Sequence, residues 1–168
     1  MESNRPRVKV PLESIDIILE LLSITCILLM WIYLIVEYPK LPDTIASHFN
    51  AKGEADGYSN KVYLWLVPVI STMMYIGLFI LNKYPHIHNY MVNITQENAL
   101  KNYRFSTRIV RIVNTLTVIM FTYIIYYIIQ KAKDSDLQFS SWFLPLVLTI
   151  SILLPIGILI YQRRINKY

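Results

Sequence analysis

Four long apolar runs, near Ile17–Val36, Val62–Leu81, Ile109–Ile129 and Trp142–Tyr161, decide what this chain can fold into. Each is about 20 residues long, the length at which a helix crosses the roughly 30 Å hydrocarbon core of a bilayer. The runs take up about half the chain and leave short connections, with no room for a separate soluble domain. Charge agrees: 16% of the residues are Asp, Glu, Lys or Arg, against roughly a quarter in a soluble domain. The expected fold class is all-α, an integral membrane four-helix bundle. It is expected to form one domain over residues 1–168, with an extracytoplasmic loop between helices 1 and 2.

The net charge of +5 does not point to nucleic acid, because no basic groove interleaved with aromatic residues accompanies it. The basic residues sit beside helix ends instead, where they meet lipid headgroups and set orientation. Arg5, Arg7, Lys9, Lys83, Lys101, Arg104, Arg108, Arg111, Arg163, Arg164 and Lys167 fall on one side of the four spans. Lys40, Lys52, Lys61, Lys131 and Lys133 fall on the other. The positive-inside rule places the first group, with both termini, in the cytoplasm, so that the Tyr38–Lys61 and Lys131–Ser141 loops face outward. Tyr38, Tyr58, Tyr63, Trp65, Trp142 and Tyr161 are placed to form interfacial belts. The first run is too long for a signal peptide and ends in Glu37-Tyr38-Pro39, not in a small-residue cleavage site. Cys26, the single cysteine, lies inside that run, where it is expected to serve as a small apolar side chain.

Asp16 and Glu20 lie one helical turn apart at the start of the first span, and Arg108 and Arg111 open the third from the same side. Acids at a helix N-terminus suit the macrodipole, and charges within a membrane tend to pair. An intramembrane ion pair between Glu20 and Arg111 or Arg108 is therefore expected. Further along the third span Arg111, Thr115, Val118, Thr122 and Tyr126 form a semi-polar stripe, with Asn114 and Thr117 beside it. Such a stripe faces neighbouring helices, and no relay of acids or histidines extends it into a transport path. Pro68, Pro145 and Pro155 are expected to kink spans two and four.

The specific chemistry is concentrated in the loop YPKLPDTIASHFNAKGEADGYSNK, Tyr38–Lys61. Pro39 and Pro42 stop the helix, and Asn50–Gly53 and Asp56-Gly57 read as two tight turns. Ile45, His48 and Phe49 between them are expected to form a short strand or helical turn on the membrane surface, with Phe49 as the anchor. His48, Asn50, Asp56, Ser59 and Lys61 are left to bond one another or a ligand. No metal site is expected, since His48 with Asp43, Glu54 or Asp56 matches no ligand spacing. No nucleophile motif surrounds Ser47 or Ser59, so the chain is read as non-enzymatic and without a cofactor. His86 and His88 read as solvated interfacial residues, and the Asn93-Ile94-Thr95 sequon is idle in a cytoplasmic loop.

Leu41-Pro42, Ile45, His48-Phe49-Asn50, Gly53, Asp56-Gly57 and Lys61 together resemble a widespread bacterial domain of unknown function. That domain forms the first part of SdpI-like immunity proteins, multi-span proteins of which some protect cells from a secreted toxin. Asn89-Tyr90, Ile94-Thr95, Glu97-Asn98-Ala99 and Tyr103-Arg104 are similar to a segment of short, four-span members. The resemblance covers roughly Tyr38 to Ile129 and departs at Ala46, where such motifs usually carry proline. It implies a bacterial inner-membrane protein that confers immunity to, or senses, a peptide or protein toxin. The motif residues it marks, for ligand or partner binding or for folding the loop itself, are Pro42, His48, Phe49, Asn50, Gly53, Asp56, Gly57 and Lys61. An accessory subunit packed against another membrane protein is the alternative, and a membrane enzyme or transporter using His48 and nearby acids is a third.

Overall fold

The computed structural model describes residues 5–50, 52–134 and 142–166. In chain order its elements are helix α1 (Ser14–Glu37), strands β1 (Thr44–Phe49) and β2 (Ala55–Asn60), and helices α2 (Leu66–Leu81), α3 (Ala99–Lys133) and α4 (Phe143–Ile165). Short helical turns at Tyr38–Lys40, Lys61–Trp65 and Pro85–Ile87 complete it. Four stretches are long and apolar enough to cross a membrane: Ser14–Lys40, Lys61–Leu81, Ala99–Lys133 and Phe143–Ile165. The chain is a multi-pass membrane protein. Lys167 and most of the Lys131–Ser141 loop lie outside the described residues.

Helix α1 is apolar over most of its surface and carries the polar residues Asp16, Glu20 and Ser23 in its first half. Asp16, Ser23, Ile27, Met30 and Leu34 are buried along one stripe, while Ile18, Leu21, Leu28 and Ile32 stay exposed. The stripe packs on α3 and α2. Lipid tails are as apolar as leucine, so hydrogen bonds and close packing must hold such helices together. The bonds are present. Ser23 Oγ and Thr115 Oγ1 are 2.8 Å apart, Asn114 Nδ2 donates to the Tyr75 carbonyl at 3.3 Å, and Trp31 Nε1 donates to Thr72 Oγ1 at 3.1 Å. The semi-polar stripe of α3 follows this seam through Asn114, Thr115 and Val118, all buried, and leaves it at Tyr126, which is exposed.

Helix α3 begins ten residues before the expected span, and its 35 residues reach about 52 Å. That exceeds the roughly 30 Å core, so its first turns stand beyond the hydrocarbon. The chain around them supplies the packing. Tyr103 Oη donates to the Pro6 carbonyl at 2.9 Å, and Ile94, Ala99 and Tyr103 form a small core with Val8, Val10 and Tyr90 around it.

One expectation about the architecture needs correction. The chain is not all-α: β1 and β2 pair antiparallel into a two-stranded hairpin. The four expected membrane-length helices are present, and they share the interior unequally. Helices α1, α2 and α3 share the packed interior, whereas among the described residues of α4 only Gln162 is buried. Helix α4 is tied to α3 by polar groups at its C-terminal end, where the Asn166 and Asn102 side chains exchange two hydrogen bonds at 3.0 Å; midway along, its Ser151 Oγ donates back to the Val147 carbonyl at 2.7 Å. It leans on α3 through ring contacts, Phe105 with Tyr161 at 4.8 Å and Tyr123 with Phe143 at 4.9 Å.

The three prolines expected to kink their spans differ in position. Pro155 lies inside α4. Pro68 and Pro145 fall in the first turns of α2 and α4, where the missing N–H has no intrahelical partner to lose, so neither gives cause for a kink.

Candidate functional site

The hairpin sits on the ends of α1 and α3. Leu41 and Ile45 enter a core with Met30, Leu34, Leu64, Ile125, Ile128 and Ile129, and Phe49 packs against its edge. Phe49 meets the Tyr127 ring edge-on, with centroids 5.3 Å apart. Lys61 fastens the base: its Nζ donates to the Leu41 carbonyl at 2.8 Å, lies 3.4 Å from Asp43 Oδ1 and stands over the Tyr38 ring. Below, Glu37 at the end of α1 pairs with Lys133 at the end of α3 and with Lys40 at 3.2 Å.

Irregular pairing shapes the hairpin. Ala46 pairs with Tyr58, His48 with Gly57 and Phe49 with Ala55, so Ser47 is an extra residue on β1 and Asp56 an extra residue on β2. Bulges of this kind re-aim side chains. Ile45 and Ala46 are both buried in succession, and Asp56 Oδ1 reaches His48 Nδ1 at 2.5 Å. Opposite His48, a Cβ on residue 57 would stand 2.9 Å from the His48 Cβ, closer than two such atoms come. Glycine at position 57 therefore serves close strand approach. Asp56-Gly57 is part of β2 and not a second tight turn, contrary to the sequence expectation.

The turn at the tip is organised by Asn50. Its Oδ1 accepts from the N–H groups of Lys52 and Glu54 at 2.9 and 3.1 Å, and its Nδ2 donates to Glu54 Oε2 at 2.8 Å. Gly53 N–H donates to the Asn50 carbonyl at 2.9 Å, and Gly53 has a φ of 81°. Positive φ favours glycine, which has no Cβ to clash.

One side of the hairpin is thus locked to the helices and the other is open. The His48 side chain is 74% exposed even though Asp56 holds it. Tyr58 and Tyr63 are exposed as well. A cleft of about 620 Å³ opens between the hairpin and the end of α3, with Pro42, Thr44, Glu54, Tyr58 and Lys131 on its walls. This surface can offer a ring nitrogen, carboxylates, ammonium groups and tyrosine faces to a partner. Among the described residues no three His, Cys, Asp or Glu side chains gather into a group able to hold a metal ion.

A second polar cluster lies at the opposite end of the bundle. Arg111 Nε donates to Glu20 Oε1 at 3.1 Å. Arg108 turns away from Glu20: its Nε donates to Asp16 Oδ1 at 3.1 Å and its Nη2 to Glu13 Oε2 at 2.7 Å. Arg104 Nε lies 3.1 Å from Glu13 Oε1, and Tyr75 Oη donates to Glu20 Oε2 at 2.9 Å. Glu13 and Arg104 were not anticipated. The signal was present in the spacing, since positions 13, 16 and 20 and positions 104, 108 and 111 climb two parallel helices at matching heights.

His88 also departs from expectation. It is buried, not solvated, with Nε2 at 3.1 Å from the Leu81 carbonyl and Nδ1 at 2.8 Å from Ser106 Oγ. Burial holds its pKa below the ordinary histidine value, nearby His86 lowers it further, and the bond to the Leu81 carbonyl opposes both. The neutral ring then donates from Nε2 and accepts at Nδ1. Burial also pushes neighbouring Tyr90 up to about 12. Arg5 spans this corner, donating to the His86 and His88 carbonyls at 3.1 and 2.6 Å.

Residues 25–72 match a domain of unknown function, DUF1648. The matched stretch runs from the second half of α1 through the hairpin into α2, so it contains the whole locked and exposed cap. The chain is also similar to an uncharacterized protein of Archaeoglobus fulgidus, 29% identical over 76 residues. That alignment covers 40% of this chain and 42% of the archaeal protein, less than half of each. No solved structure matches.

Proposed function

We propose that this is a small non-enzymatic protein of the bacterial cytoplasmic membrane, of the SdpI-like type, whose hairpin faces outward and recognises a peptide or protein toxin. The observation that carries the reading is the division of the hairpin into two faces. Leu41, Ile45 and Phe49 fix one against the helices, while the His48–Asp56 pair is exposed to solvent and Tyr58 is exposed on the wall of the polar cleft. A rigidly mounted polar surface loses little conformational freedom on binding. Among the described residues each strand has one neighbouring strand, so an extended peptide can add to the other edge while side chains enter the cleft.

The distribution of basic residues supports the orientation. Arg5, Arg7, Lys9, Lys83 and the arginines of α3 and α4 lie at the end away from the hairpin, which the positive-inside rule assigns to the cytoplasm. In this reading Asn50, Gly53, Gly57 and Lys61 set the shape of the hairpin, Pro42 borders the cleft, and His48 and Asp56 meet the partner.

The test is growth of a sensitive bacterium in culture supernatant from peptide-toxin producers, with and without the chain. Protection that is lost in His48→Ala and Asp56→Ala, at unchanged membrane levels, is the expected result. Equal growth with and without the chain across such supernatants contradicts the immunity reading. The alternative, an accessory subunit of a larger membrane complex, draws on the uncovered surface of α4; a stoichiometric membrane partner copurifying with the chain would favour it.

A further inference from the structure

We propose that the crevice between α3 and α4 is a binding site for one anionic phospholipid. The two helices touch near both ends of their contact, through Phe105 and Tyr161 at one and Tyr123 and Phe143 at the other. Between these contacts they part around an apolar slot of about 550 Å³, walled by Ile109 and Leu116 on α3 and by Leu153, Gly157 and Ile158 on α4. Gly157 leaves room there, because a Cβ on it would meet nothing within 4 Å.

The slot leads past Phe105, Ile109 and Tyr161 into a second cavity of about 380 Å³, and these three residues line both. The second cavity is basic, with Lys101, Arg104 and Arg108 on its wall. Arg104, Arg108 and Arg111 are matched by Glu13, Asp16 and Glu20, so the excess charge comes from other residues. Lys101 Nζ donates to the Ile165 carbonyl at 2.8 Å and has no acidic partner among the described residues. Arg163 and Arg164, in the last turn of α4 at the same end, have none either. Basic pockets between membrane helices near a headgroup layer are suited to anionic lipid heads.

Dimensions favour a lipid over a second copy of the chain. From Phe105 to Leu116 the slot follows α3 for about 16 Å at 1.5 Å per residue. That is roughly half of the 30 Å core, the depth of a single leaflet. A transmembrane helix from another copy would need a groove through the full thickness, but the Tyr123–Phe143 stack closes this one. The phosphate sits at the basic mouth and an acyl chain fills the slot.

The test is native mass spectrometry of the delipidated full chain, offered dioleoyl phosphatidylglycerol or dioleoyl phosphatidylcholine. The wild type should retain the phosphatidylglycerol preferentially. Lys101→Gln and Arg163→Gln should each lower that retention about fivefold, one surface charge each, and leave phosphatidylcholine unchanged. Gly157→Leu should lower retention of both lipids by filling the slot. Equal retention of the two lipids by the wild type, or phosphatidylglycerol retention unaffected by Lys101→Gln, overturns the proposal. A lipid-free dimer that Gly157→Leu dissociates overturns it in favour of a second copy. If Gly157→Leu does not fold, Lys101→Gln still decides, because that side chain is exposed and lies outside the packed core.

Discussion

His48 and Gly57 face each other across the hairpin so closely that a Cβ on residue 57 would stand 2.9 Å from that of His48. The atom in the way is the root of a side chain and cannot swing aside, so Gly57→Ala must spread the strands or move the His48–Asp56 pair. Overpacking of this kind costs about 1–3 kcal/mol. Thermal melts in detergent should show Gly57→Ala destabilised and its hairpin cut sooner by protease. The same change made in His48→Gly should cost little, because the opposing Cβ is gone. Equal costs in the two backgrounds would mean that the close approach is not what requires glycine.

The hairpin also shows where sequence reading succeeds and where it stops. The helices are legible because their lengths and hydropathy are set by the bilayer, a requirement that each run meets alone. The turn at Asn50–Gly53 is legible because Asn50 and Gly53 act on their own backbone. Asp56-Gly57 misleads, since the same dipeptide suits a turn or a bulged strand, and only the distant His48 decides between them. His88 misleads similarly: its neighbours are polar, and its burial depends on Ser106 and Leu81. The early start of α3 is hidden by Lys101, Arg104 and Arg108, which lower hydropathy without interrupting a helix.

Asp16 is 2% exposed and faces Arg108 across the α1–α3 seam. Arg108→Gln removes the hydrogen bonds that Asp16 accepts from it and leaves Arg111 Nη1, 3.7 Å from Asp16 Oδ1, as the remaining cation, so it should destabilise the chain by about 1.5–3 kcal/mol. Asp16→Asn with Arg108→Gln should recover part of that loss, because neither remaining group is charged. Unfolding in mixed micelles measures both. A double variant less stable than Arg108→Gln alone would show that the pair does not act through charge compensation.

The buried neutral His88 gives the corner near Arg5 and Tyr90 a pH dependence. Its pKa in the fold lies below the ordinary value of 6.5, so the unfolded chain takes up the proton first. Its contribution is fully present above pH 6.5 and is lost as pH falls through that value toward the lower one of the fold. On lowering the pH from 7.5 to 5.5, hydrogen exchange of the Tyr84–Tyr90 amides should slow less than the falling intrinsic rate requires, an excess of opening that His88→Gln should remove. The same excess in His88→Gln would assign it to another group, such as His86 two residues earlier.

The central claim is that the hairpin presents its open face to the outside, and its side of the membrane can be measured directly. With Cys26→Ala to silence the native thiol, Lys52→Cys places a single cysteine at the exposed tip. Intact cells are then treated with a membrane-impermeant maleimide, alongside lysed cells as the control. The account predicts equal labelling in both. Labelling only after lysis would put the hairpin in the cytoplasm and contradict recognition of any partner arriving from outside.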